Sequence, residues 1–178
     1  TEAMKKESSF MEDLKEEDGT EKKVRMIFCN DPDRLIADTS LRTVYFMALA
    51  FHQVYPNFEV ETVNITDNPT AVSMYKATTL SKIETTDVIL TTGDSYRIAS
   101  ATSFWTRTTD NVLYSYNGEY RLVSLLKSVT AINNPSAYFI TGHGETVYDP
   151  EDPGSEGSLS TESFYHLLLE RGLNVKTL

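Results

Sequence analysis

Four short apolar runs, spaced by helix-length stretches and turns, constrain this chain more than any other feature. Residues 23–29 (KVRMIFC), 58–65 (FEVETVNI), 87–92 (DVILTT) and 136–141 (SAYFIT) have the length and the β-branched or aromatic content of strands. Between the first two lies 39–54 (TSLRTVYFMALAFHQV), a buried type of helix that Asp38 or Thr39 can cap. Asn68-Pro69 opens a shorter helix to about Lys76. Tyr96 to Ala99 is expected to pair beside 87–92 across Gly93-Asp94, and residues 112–116 to add a short strand. Glu119 to Thr130 reads as a helix with Leu122, Leu125, Leu126 and Val129 on one side. A loop over 146–160, a helix from Thr161 to Arg171 capped by Gly172, and a strand over 173–178 complete the order. At the other end, residues 2–17 read as a helix with Met4, Phe10, Met11 and Leu14 roughly on one face, and Asn30-Asp31-Pro32-Asp33 as a turn.

This βαβ-type alternation predicts an α/β fold with a mostly parallel sheet flanked by helices. The expected organisation is an N-terminal helix and linker over 1–21, a first α/β domain over 22–117, and the beginning of a second α/β domain over 118–178. The last six residues read as an unfinished strand, so the chain is expected to be a piece of a larger protein, and missing targeting signals carry little weight.

Charge narrows the function classes. The formal net charge of -10 disfavours nucleic acid, because a phosphate backbone needs a basic stripe and the longest basic runs are Lys5-Lys6 and Lys22-Lys23. Residues 1–21 carry three Lys against eight Asp or Glu, a net of -5, so half the imbalance sits in one short stretch that is too acidic for a signal peptide. No apolar run reaches the roughly 18 residues that span a bilayer. The single cysteine, Cys29, can make neither an internal disulfide nor a Cys-x-x-Cys pair, and an inert, buried thiol is expected. No P-loop and no G-x-G-x-x-G is present.

Thr141-Gly142-His143-Gly144-Glu145 is the most distinctive segment. It follows an apolar strand, at the end where ligands sit in open α/β sheets. Its glycines allow a sharp turn and close approach to a partner, while His143 and Glu145 could hydrogen-bond, ligate a metal or shuttle protons. A tight turn is the simplest reading, binding the next and catalysis the last. A metal site would need His143, Glu145 and His166 together, a spacing that matches no zinc signature; His52 is expected to be a core or boundary residue. Asp149 to Gly154 resembles the start of a calcium loop, but Pro153 and Ser160 occupy two ligand positions. Gly93-Asp94-Ser95 resembles the nucleophile block of GDSL hydrolases, yet no histidine has an acid three residues before it and YRIAS follows as a strand. Trp105 is either an exposed anchor or a local core cap. No cofactor and no metal is expected.

The blocks SAYFITGHGE and SFYHLLLERGLNVKTL, on either side of the acidic loop, resemble the GldG-like auxiliary proteins of ABC-2-type transport systems, a family named for gliding motility. FEVETVNITDNPTAVSMY, TDVILTTGDSYRIA and GEYRLVSLLKSVT agree with that family in the same order, and residues 3–14 with its leading helix, so that the resemblance runs from about residue 3 to 178. It implies a thioredoxin-like or Rossmann-like first part and the start of a glutamine-amidotransferase-like second part. It also implies a membrane-anchored protein with this region on the extracytoplasmic side, anchored through segments outside this sequence, with an ABC permease and its ATPase subunit as partners. On that basis the chain is expected to bind a partner or substrate without catalysis, with Gly142, His143, Gly144 and Glu145 as the binding residues. The alternative is a hydrolase or metal-dependent enzyme using His143 and Glu145. A third reading is a carbohydrate- or polymer-sensing surface built on Trp105 and the tyrosines.

Overall fold

The first apolar run becomes β1 (Val24–Phe28), a central strand buried on both faces. A computed structural model describes residues 2–76, 82–108, 110, 112–131, 135–144, 147–148, 161, 164–165, 167–168 and 173–178. In it β1 pairs in parallel with β2 (Phe58–Thr62), Val24 opposite Phe58. On its other side it pairs antiparallel with β3 (Asp87–Thr91), Met26 opposite Leu90. β4 (Tyr96–Ser100) continues antiparallel from β3, which gives a four-stranded sheet in the order β2-β1-β3-β4.

The sheet is therefore mixed rather than mostly parallel. Among the described strands only β1–β2 and a separate pair, β7 (Ser136–Phe139) with β8 (Asn174–Thr177), run in parallel. The hairpin accounts for part of this: residues 92–95 join β3 to β4 as a tight turn, in which the Thr92 amide donates to the Ser95 carbonyl at 3.0 Å, and so short a link can only join antiparallel neighbours; β3 itself also runs antiparallel to β1. β5 (Trp105–Arg107) and β6 (Leu113–Tyr116) form a further antiparallel hairpin; β5 was not expected among the polar neighbours of Trp105.

Helix α1 (Glu2–Ser8) continues only as a 3₁₀ turn (Ser9–Asp13), so the expected helix over 2–17 is shorter. The Ser8 hydroxyl bonds back to the Met4 carbonyl at 2.7 Å and meets the Tyr55 hydroxyl at 3.0 Å, tying the end of the helix to the core. The expected turn at 30–33 contains the start of a short helix, α2 (Pro32–Ala37), with proline in its first turn, where a missing N–H costs nothing. α3 (Thr39–Val54) matches its expected span, and Asp38 is the cap, accepting from the Ser40 and Leu41 amides at 2.8 and 2.9 Å. Pro69–Tyr75 is a 3₁₀ turn. α4 (Gly118–Thr130) buries Leu122, Leu125, Leu126 and Val129 as its spacing predicts.

The period of two along the strands divides these side chains between two cores. Val24, Met26, Phe28, Val88 and Leu90 face α3 and α4 in the larger core. Ile27, Cys29 and Ile89 face the other way, under Val72 and Tyr75 of the 3₁₀ turn. The larger core also takes in Met11 from the N-terminal segment and Leu122 to Val129 from α4, so it extends across the divisions expected at 21/22 and 117/118. The buried Asn57 amide donates to the Met11 carbonyl at 2.8 Å, and Lys22 pairs with Glu16 and Asp94, each at 3.2 Å. The N-terminal residues thus close one face of the first sheet rather than linking to it. Each large apolar side chain buried this way contributes roughly 1.5–3 kcal/mol.

Candidate functional site

Parallel β7–β8 pairing sets the position of the 141–144 turn. Ser136 to Phe139 lie opposite Asn174 to Thr177, and the ladder runs on as the Leu178 amide donates to the Phe139 carbonyl at 2.8 Å. The Thr141 amide and hydroxyl both donate to the Leu178 carbonyl, each at 3.0 Å. Past this anchor the chain reverses through Gly142 (φ 102) and Gly144 (φ 94), a left-handed region that side chains with a Cβ rarely adopt. A Cβ at either position would meet no atom within 4 Å. The glycines are thus set by backbone conformation, not by crowding, and Gly142, His143 and Gly144 are exposed.

Of the four expected binding residues, the structure places Gly142, His143 and Gly144 on this one exposed turn. Glu145 lies outside the described residues, as do His166, the loop over 149–160 and Gly172. Phe139 is held from the packed side of the ladder by Phe164 and Tyr165, at centroid distances of 6.0 and 6.5 Å, and Tyr148 meets Tyr165 at 5.0 Å. The other side is open: Tyr138, Ile140 and Leu178 are 51, 67 and 68% exposed. Among the described residues no group of three His, Cys, Asp or Glu is placed to hold a metal, and no helix is long and apolar enough to cross a membrane.

The remaining candidates resolve into structural roles. Cys29 is fully buried; burial first, and the nearby Asp87 carboxylate second, push its thiol from 9.0 to about 12. Burial also raises the Asp87 carboxyl. Asp94 and Ser95 belong to the β3–β4 turn, where the Ser95 amide donates to the Thr92 hydroxyl at 3.3 Å. Asp31, unexplained as part of a bare turn, accepts from the Asn64 amide at 2.7 Å; that amide also donates to Asp67 at 2.6 Å, closing the carboxyl ends of β1 and β2. His52 is an exposed residue whose Nδ1 meets the Phe58 carbonyl. Trp105 caps the larger core, half-buried against Tyr116 at 4.9 Å.

A concave site that sequence patterning does not reveal lies between α1 and α4, a groove of about 740 Å³. Its residues come from the two ends of the first unit, and Met4 and Lys127 are far apart in sequence. The one local signal is Gly118 directly before a helical run: a Cβ there would lie 2.1 Å from the Tyr116 hydroxyl, so only glycine lets that ring settle over the start of α4.

No family model, curated protein or solved structure matches the chain.

Proposed function

We propose that this chain is a non-catalytic, extracytoplasmic domain of a membrane-anchored auxiliary protein of an ABC-2-type transport system, and that it works by binding a substrate or a partner beside the permease and its ATPase. The observation that carries this reading is the exposed Gly142-His143-Gly144 turn at the carboxyl end of β7. Ligands of open α/β sheets sit at such strand ends, and two glycines with open space around them admit a partner close to the backbone.

The fold supports the same reading. The order β2-β1-β3-β4, with β3 reversed, is compatible with a thioredoxin-like first part, and the separate parallel β7–β8 pair with the start of a glutamine-amidotransferase-like part. In the first part a reactive cysteine would begin the helix after β1. Here that helix begins at Pro32, and Cys29 is a buried thiol with almost no thiolate at neutral pH.

The test is reconstitution with an ABC-2-type permease from the same genome. Saturable binding of the purified chain to that permease in nanodiscs, weakened by Gly142→Val with Gly144→Val, is expected. Absence of binding, or an esterase or amidase activity that His143→Ala abolishes, would overturn the reading.

A further inference from the structure

We propose that the groove between α1 and α4 is a saccharide site, which takes a neutral, hydroxyl-rich ring ligand of one or two units. This rests on the binding-module reading but not on the transport assignment. At about 740 Å³ the groove has the size of small-molecule sites, and three separate elements line it. Tyr116 forms a fixed wall: its hydroxyl donates to the Met47 sulfur at 3.0 Å, Trp105 packs on its ring at 4.9 Å, and Gly118 leaves it the space. Tyr120 stands at the rim, 64% exposed, over a floor that includes Val123, only 6% exposed. A fixed aromatic wall of the kind Tyr116 offers packs on the C–H face of a sugar ring at small entropic cost, and Tyr120 adds a second, exposed ring.

The polar groups decide the class. Glu7 and Lys127 pair across the groove at 2.7 Å, and Glu119, Asn117 and Ser124 complete the polar lining. Among the described residues the lining carries two carboxylates and one ammonium, a formal excess of one negative charge. That sign disfavours phosphates and nucleotides. A purely apolar ligand would strip water from these groups without replacing its hydrogen bonds. Carboxylates accept from sugar hydroxyls, while the asparagine amide and the ammonium donate to them. A ligand with apolar ring faces and a hydroxyl edge satisfies both kinds of surface.

The experiment titrates the purified chain with glucose, maltose, cellobiose and chitobiose by calorimetry and by amide NMR shifts. Inorganic phosphate and spermidine serve as charged controls. Saturable binding of at least one saccharide is expected, with shifts centred on residues 4–7 and 116–127. Tyr120→Ala, which removes an exposed side chain, should weaken that binding by about tenfold. Ser124→Trp, which fills the groove, should abolish it while leaving the thermal unfolding midpoint in place. The inference is overturned if no saccharide binds saturably, if the shifts centre elsewhere, or if phosphate or spermidine binds the groove in preference. Permease binding without saccharide binding overturns this inference alone and leaves the broader function standing.

Discussion

The two sheet-bearing regions of the molecule are built to different standards of closure. In the four-stranded sheet, α3, α4 and the N-terminal segment cover one face, and the 3₁₀ turn at Pro69–Tyr75 covers the other. In the β7–β8 pair, Phe164 (itself 53% exposed) and Tyr165 meet Phe139 on one side, whereas Tyr138, Ile140 and Leu178 are exposed on the other, with the Lys176 ammonium 5.9 Å above the Tyr138 ring. Parallel strands are ordinarily buried on both faces, so among the described residues this second ladder is the less covered of the two. The residues with the most evident chemistry, at 142–144, stand on that less covered ladder. An exposed turn on this ladder is the kind of surface that the binding role proposed above would use.

The largest effect expected is on the closed region. Phe28→Ala empties a fully buried site in the larger core and should cost about 3–5 kcal/mol of global stability in denaturant unfolding. Leu122→Ala in α4 should fall in the same range, about 2–5 kcal/mol. A much smaller cost for Leu122→Ala would detach α4 from the first unit and break the contrast.

Cys29 probes the other face of that sheet. A thiol raised from 9.0 to about 12 leaves about a thousandth as much thiolate near neutral pH. Alkylation should therefore proceed only through opening of the fold, at rates that follow denaturant. The sign of the pH dependence follows from the same shift. A folded-state value above the unfolded one supports folding fully below about pH 9, and that support is lost as pH climbs toward 12. The difference in unfolding midpoint between the native chain and Cys29→Ala should thus narrow as pH rises from about 9 toward 12. A constant difference would mean that the thiol does not ionise on unfolding.

Gly142→Ala is expected to cost about 1–3 kcal/mol, because φ 102 is strained for any residue with a Cβ. The loss should be confined to local opening of the β7–β8 ladder, as read by exchange of the Leu178 amide, and the midpoint of the closed region should stay in place. Asp38→Ala, which removes the cap of α3, should cost about 1 kcal/mol globally. His143→Ala, at an exposed position, should move stability by less than about 0.5 kcal/mol. A large loss there would show that the turn is a packed corner after all.

Much of the closed region was legible because its side chains obey simple periods. The 3.6-residue period of α3 and α4 marks their buried faces, and Asp38 announces the start of α3. The runs at 23–29 and 87–92 read as buried strands because hydrophobic side chains are needed on both of their faces. What escaped is what depends on distant partners. The helix over 2–17 gives way to a 3₁₀ turn after Ser8, whose hydroxyl meets that of Tyr55, 47 residues away. Counting alternations favours parallel strands; the short turn at 92–95 reverses β4 against β3, but nothing local in the sequence marks β3 as antiparallel to β1. Asp31 looked like a turn residue because its partner, Asn64, lies at the end of another strand. At the candidate site the glycine conformations could be anticipated from the Gly-His-Gly spacing, whereas the α1–α4 groove could not, since it exists only where the two ends of the unit meet.

Hydrogen exchange on the native chain tests the contrast most directly. The account predicts one shared, large opening free energy for the amides of β1, β3, α3 and α4, and a distinctly lower one for β7, β8 and Thr141. Protection at Thr141 and Leu178 equal to that of β1 would contradict it, because the turn would then be held as firmly as the core and a preorganised catalytic corner would be the better description.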